Sequence, residues 1–215
     1  MKFCPRCGNF INHKYAICPK CNFDSRKIPR RNFKNIVGYP IPGSKSNYHL
    51  RPTIDIPKLE LRVHELTNIE RQKLNLSPLS YNTEIRNIAW WHSKDMSVRN
   101  FFAHENPDGK TPADRASSAN FDMDNRIWYK KLDSIQWQFG ENIYQTTLYD
   151  SVYVIDNIPT DYHWNDLEKI AKVTVDGWMN SKEHRDNIVT PSWKKEGIGV
   201  YISNDDKVYI TQNFN

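Results

Sequence analysis

Residues 177–188 read GWMNSKEHRDNI, and the reading of this stretch decides the fold. A tryptophan closes an apolar stripe, and Ser181, Glu183, His184 and Arg185 follow at once. Upstream, Leu167, Ile170, Ala171, Thr174, Val175 and Trp178 recur at helical spacing. They predict a buried helix over 165–180, capped by Asn165 with Glu168 three residues on. Two readings of its end stand. The last turn delivers side chains to a polar site, or the helix simply ends in solvated charge. Positions three apart share a helical face. That favours Ser181 as the neighbour of His184, whereas a helix that had already ended would turn Glu183 inward. Arg185 is expected to cap carbonyls or form an ion pair near that end.

Further elements follow on either side. Asp55 caps a helix with Pro57 in its first turn, and Leu59, Val63, Leu66, Ile69 and Leu74 form its apolar face. Asn82 caps a second helix carrying Ile85, Ile88, Ala89, His92 and Met96 on one side, so His92 reads as a core histidine. Residues 106–109 (NPDG) form a turn, and 139–144 a short strand. Ile198, Val200 and Ile202, then Val208, Ile210 and Gln212, alternate across a turn at 204–207, which predicts a terminal hairpin. This mixture gives an α+β class, arranged as a layered sandwich.

Charge divides the chain. Residues 1–51 hold 11 Lys/Arg against Asp24 alone, while 52–215 hold 19 against 24 acids. The basic character therefore belongs to the N-terminal part, and a nucleic-acid partner there is one expectation. The other is a protein or small-molecule partner. No apolar run reaches 18 residues, and the first residues lack the apolar core of a signal peptide. A cytoplasmic location is expected, without a transmembrane segment.

Cys4-Pro-Arg-Cys7 and Cys18-Pro-Lys-Cys21 are two copies of one knuckle. Four thiolates so spaced suit one tetrahedral zinc ion, and Gly8 and Asn22 tolerate the backbone turn after each knuckle. The organisation is thus a zinc ribbon over 1–24, a Lys/Arg/Pro/Gly-rich linker over 25–54 and a main domain over 55–215. The ribbon is too short to bury a core, so the metal holds it together. In the main domain, His64-Glu65 suggests a metalloprotease helix, but position 68 is Asn68 and the second imidazole is missing. His64 reads as a helix-face residue, and His13, His49 and His163 fall in loops or linkers.

The ordered stretches FFAHENPDGKTPADRA, FGENIYQ, GWMNSKEHRDNI, EGIGVYI and YITQNF resemble the CAP superfamily, in particular its bacterial and archaeal SCP-domain branch, over roughly residues 57–215. The resemblance implies a three-layer α-β-α sandwich with a cleft lined by two histidines and two acids. It makes His104 the first cleft histidine, Glu141 the first acid and His184 the second histidine. At the second acid this chain departs, with Ser181 at the family position and Glu183 the nearest carboxylate. A segment around 148–164 is longer than in bacterial relatives and reads as a lid, a partner surface or a loop packed on the core. The domain has no cysteine, consistent with a reducing compartment. Two imidazoles and a carboxylate suit a second divalent metal with an open position, or a small ligand. The alternatives are a hydrolase, metal-assisted or built on Ser181, His184 and Glu141, and a lipid-binding or protein-interaction module.

Overall fold

The computed structural model describes residues 2–3, 10–11, 51–121, 139–156 and 158–215. The ribbon cysteines Cys4, Cys7, Cys18 and Cys21 and nearly all of the basic linker lie outside the described residues. Near the N-terminus, β1 (Lys2–Phe3) and β2 (Phe10–Ile11) pair antiparallel. The chain divides into two compact units, 52–148 with 165–215, and 1–51 with 149–164.

The larger unit opens with α1 (Ile56–Lys73), capped by Asp55, whose carboxylate accepts from Lys58 N. Its buried face is not the one the apolar spacing predicts. Leu59 and Val63 are buried as expected, but Ile69 and Leu74 are exposed, and Glu60, Thr67 and Arg71 are buried instead. The reason is that each polar group has partners to replace water. Glu60 accepts from Nε and Nη2 of Arg86 and from the backbone N–H of Val200. Arg71 donates to the carbonyls of Ser77, Ile188 and Thr190. The short β3 (Ser80–Tyr81) leads into α2 (Thr83–Arg99), with Asn82 capping Ile85 N at 2.9 Å and the predicted face buried. Then come α3 (Pro112–Ser118), with a capping box between Thr111 and Asp114, and β4 (Gly140–Thr147), longer than predicted.

In the second unit β5 (Tyr149–Ile155) and β6 (Ile158–Trp164) form an antiparallel hairpin. The long segment is therefore a strand pair with an aromatic cluster of its own. Tyr162 stacks on Trp164 at 4.7 Å and Tyr149 meets both edge-on. His163, expected in a loop, sits in β6 against Tyr153.

Back in the larger unit, the third helix is two helices, α4 (Leu167–Asn180) and α5 (Lys182–Ile188). Asp166 caps α4 through Lys169 N, not Asn165, which is buried and donates to Thr147 O. β7 (Lys195–Ile202) and β8 (Lys207–Phe214) make the terminal hairpin. The sheet runs β3-β7-β8-β4. Strand alternation sends Gly197, Gly199, Thr211 and Glu141 to one face and Glu196, Gln212 and Asn142 to the other. α2 covers the first face, and α1 with α4 the second. This is the three-layer α-β-α sandwich.

Two glycines set the distance between layers. A Cβ on Gly197 would overlap the backbone of Ile85 and Arg86, and one on Gly199 that of Ala89 and Trp90. Ser93 then reaches both Gly199 O and Thr211 Oγ1 at 2.8 Å. Gly199→Ala is expected to destabilise the fold by about 3 kcal/mol, because backbone cannot yield as a side chain would. Urea denaturation followed by tryptophan fluorescence measures it.

Candidate functional site

The sheet ends at β4, and residues from both layers meet across that edge. Glu141 points to the α2 face and its side chain is only 1% exposed. Its Oε1 accepts from His104 Nδ1 at 3.0 Å. Its Oε2 accepts from Arg115 Nη2 at 2.5 Å and from Asn213 Nδ2 at 3.0 Å. His92 Nε2 lies 3.7 Å from Oε1 and donates to Ala103 O at 3.0 Å. Burial pushes the Glu141 carboxyl up, but the His104 hydrogen bond, the Arg115 and His92 charges and the Asn213 amide outweigh it and hold it below the usual carboxylate range.

His184 comes from the other layer. Asn142, next to Glu141 but on the opposite face, donates to His184 O and to Gln212 Oε1, both at 3.0 Å. Asn187 donates to Glu141 O and to Asn142 Oδ1. These amides cover the open edge of β4 and fix α5 upon it. The His104 and His184 ring centres are 6.5 Å apart. Burial lowers the His184 pKa below that of free histidine, His104 lowers it further, and Glu183 partly opposes.

The three positions 104, 141 and 184 therefore converge. The fourth is different. α4 ends at Ser181, whose extended backbone (φ −94°, ψ 124°) breaks the helix. The shared-face argument for Ser181 and His184 consequently fails. Ser181 makes no capping hydrogen bond, and none joins its hydroxyl to His184 among the described residues. Glu183 lies exposed in the first turn of α5. Arg185 caps as expected, donating to Met179 O at 3.0 Å across the break.

The model of the cysteine-rich secretory protein family, CAP, matches residues 64–214. The chain belongs to the CAP family. It is 29% identical over 160 residues to the uncharacterized protein YkwD of Bacillus subtilis, covering 74% of this chain and 49% of that one. It is 27% identical to the uncharacterized membrane protein YlbC of the same organism, covering 72% and 34%. An extracellular SCP-domain protein from Bacillus anthracis superposes with a TM-score of 0.51 at 26% identity, over 74% of this chain and 40% of that one. An outer surface protein of Borrelia burgdorferi shares the fold with a TM-score of 0.54 at 15% identity, over 77% and 97%. The chain spans half or less of the length of the two Bacillus subtilis relatives.

Within this CAP domain, sequence reasoning overlooked Arg115, although it lies in the FFAHENPDGKTPADRA stretch. His92 looked like a core residue and is one, yet it also backs Glu141. The overlooked amides had a signal in Gln212-Asn213, polar residues in a strand otherwise predicted to be apolar. His64, half-buried, donates from Nδ1 to buried Glu196 at 2.5 Å, and Gln212 Nε2 donates to the other Glu196 oxygen.

Two outcomes follow. Arg115→Ala leaves the Glu141 charge buried without its cation and is expected to cost about 3–5 kcal/mol in denaturant unfolding. The pH dependence comes from His92 and His184, both depressed chiefly by burial. A base whose folded pKa is lowered binds fewer protons folded than unfolded, so stability falls as pH drops below about 6.5. The Glu141 contribution is lost only further down, below the ordinary carboxylate value of 4.5. Thermal unfolding between pH 7 and pH 4 should show these two declines, and His184→Gln should flatten part of the first.

Proposed function

We propose that the CAP cleft binds a divalent cation or a small ligand through His104 and His184, with Glu141 acting from behind. One observation carries this reading. The carboxylate holds His104 by Nδ1, so the proton sits there and Nε2 keeps its lone pair. Carboxylate–histidine pairs orient metal-binding imidazoles in this way. The depressed pKa of His184 keeps its ring neutral at pH 7, as a ligand must be. The donor set fits an ion held by two imidazoles and water. It does not suit Glu141 as a third direct ligand, because Arg115, Asn213 and His104 already engage both oxygens. When bound, such an ion would supply a Lewis acid or an acidified water. The two rings would hold it, and Glu141 with Arg115 would fix the first ring. Binding is favoured over hydrolysis because Ser181 has no hydrogen bond to a general base among the described residues.

The cysteine spacing supports a separate structural zinc ion at Cys4, Cys7, Cys18 and Cys21, in a compartment that keeps thiols reduced. Elemental analysis of the full chain separates the sites. Wild type should carry a second ion that is lost in His104→Ala/His184→Ala and retained when the four cysteines become serine. Zinc lost only with the cysteines would exclude a metal in the cleft. Cleft binding should also weaken in acid as His184 becomes protonated, which its burial delays to a pH below that of free histidine.

A further inference from the structure

The β5–β6 hairpin is a sheet of two strands, with no third strand among the described residues. Two strands by themselves are marginally stable in water, so the hairpin needs something to pack on. It separates from the CAP domain into which it is inserted and groups with residues 1–51. Two properties of its surface say what it is built to hold.

The first is charge. Residues 149–164 contain Asp150, Asp156 and Asp161 and no lysine or arginine. The strand pairing spreads these acids along the whole hairpin. Asp150 follows Tyr149 at the base, Asp161 faces Tyr153 midway, and Asp156 stands at the turn with φ 53°. At about 3.3 Å per residue the row extends for roughly 20 Å. The second property is aromatic. Tyr149, Tyr162 and Trp164 form one half-buried cluster, with ring centres 4.7, 5.1 and 6.1 Å apart. Such faces take guanidinium and ammonium groups, and they dock proline-rich segments.

The basic linker is the complement to both. Residues 25–50, outside the described residues, carry six Lys/Arg from Arg26 to Lys45, no acid, and three prolines. Chain connectivity favours this occupant over a separate molecule. The linker leads into α1, and β6 leads into α4 through Asn165 and Asp166. α1 and α4 run side by side in the same direction. Arg62 pairs with Glu168 at 2.7 Å near their starts, and Arg71 donates to Ile188 O beyond the far end of α4. Linker and hairpin are thus tethered at the same end of one helix pair. A tether of this kind gives an effective concentration of about millimolar.

We infer that the β5–β6 hairpin is the docking surface for this chain's own basic linker. The aspartates pair with its cations, and the Tyr149–Tyr162–Trp164 cluster receives its guanidinium groups and prolines. The insertion thereby fastens the cysteine-bearing N-terminus, which the covalent chain alone would only tether.

A carbodiimide joins a lysine to a carboxylate only where the two touch. The full chain is treated with it at low concentration, as an equal mixture of unlabelled and isotope-labelled protein, and the linked peptides are read by mass spectrometry. Lys182, 2.6 Å from Asp186 on α5, supplies a control link. Wild type should link Lys27, Lys34 or Lys45 to Asp150, Asp156 or Asp161 within single molecules. Trp164→Ala should lower that yield about fivefold, the loss expected of one cation–π face, and Tyr162→Ala should act in the same direction. The control link and circular dichroism check that both variants are folded. Salt at about 1 M, where the Debye length is about 3 Å, should also lower the yield. A control link formed without linker–hairpin links would overturn the inference. So would mixed-label links, which assign the surface to a second copy, or a yield unchanged in both folded aromatic variants.

Discussion

A carboxylate taken almost entirely out of water must be paired, and Glu141 is the buried charge around which this domain is arranged. Uncompensated, it would protonate or unfold its surroundings. Arg115 neutralises it from α3, Asn213 bonds it from β8, and His104 bonds it from the loop after α2. Three segments far apart in sequence are thereby held to the edge strand of the sheet. The same contacts leave His104 half-exposed, with Nδ1 committed and Nε2 without a hydrogen-bond partner among the described residues. Structure and chemistry at this site are one arrangement.

The opposite face of β4 carries a matching device in uncharged form. Asn142 and Asn187 bond each other, the Glu141 carbonyl and the His184 carbonyl. Gln212 extends the network to Thr67 of α1 and to Glu196, which receives His64. A polar path thus crosses the α1/α4 face from one end of the sheet to the other. Thr67, Asn142, Glu196 and Gln212 are buried within it and bonded to one another or to its half-buried ends, a condition under which buried polar groups specify a geometry rather than weaken it. Open strand edges are treated similarly. Trp178 Nε1 donates to Ile143 O on β4, and Glu60 accepts from Val200 N on β7. Each bond satisfies an edge group that would otherwise be open to pairing with another chain.

How far the sequence could be read depended on the range of the interaction. Caps and turns are local, so Asp55, Asn82 and the 204–207 turn were correctly placed from neighbours alone. The cap of α4 was misplaced by one residue, since Asn165 and Asp166 are both good capping types and only burial of Asn165 separates them. On α1 the apolar period misled at Ile69 and Leu74. There the buried stripe is set by Glu60 and Arg71, whose partners lie on α2, β7, the loop after α1 and the end of α5 with the segment that follows it. Nothing in the helix itself announces them.

The sequence alone determined the helices α1 and α2, the apolar face of α4 and the terminal β7–β8 hairpin, and its ordered motifs carried the family membership and pointed to His104, Glu141 and His184, which meet at the β4 edge. The elements rest on periodicity and capping chemistry, and the family and the three positions on the resemblance of ordered motifs, all of them carried by short stretches. Only the tertiary structure decided that Arg115 answers Glu141, that the helix breaks at Ser181, and that Asn142 and Asn187 seat α5 on the sheet edge. Burial makes an ion pair compulsory and an unmet carbonyl costly. Which partner satisfies each depends on three-dimensional proximity, and proximity between residues 26 or 45 positions apart exists only once the layers have packed.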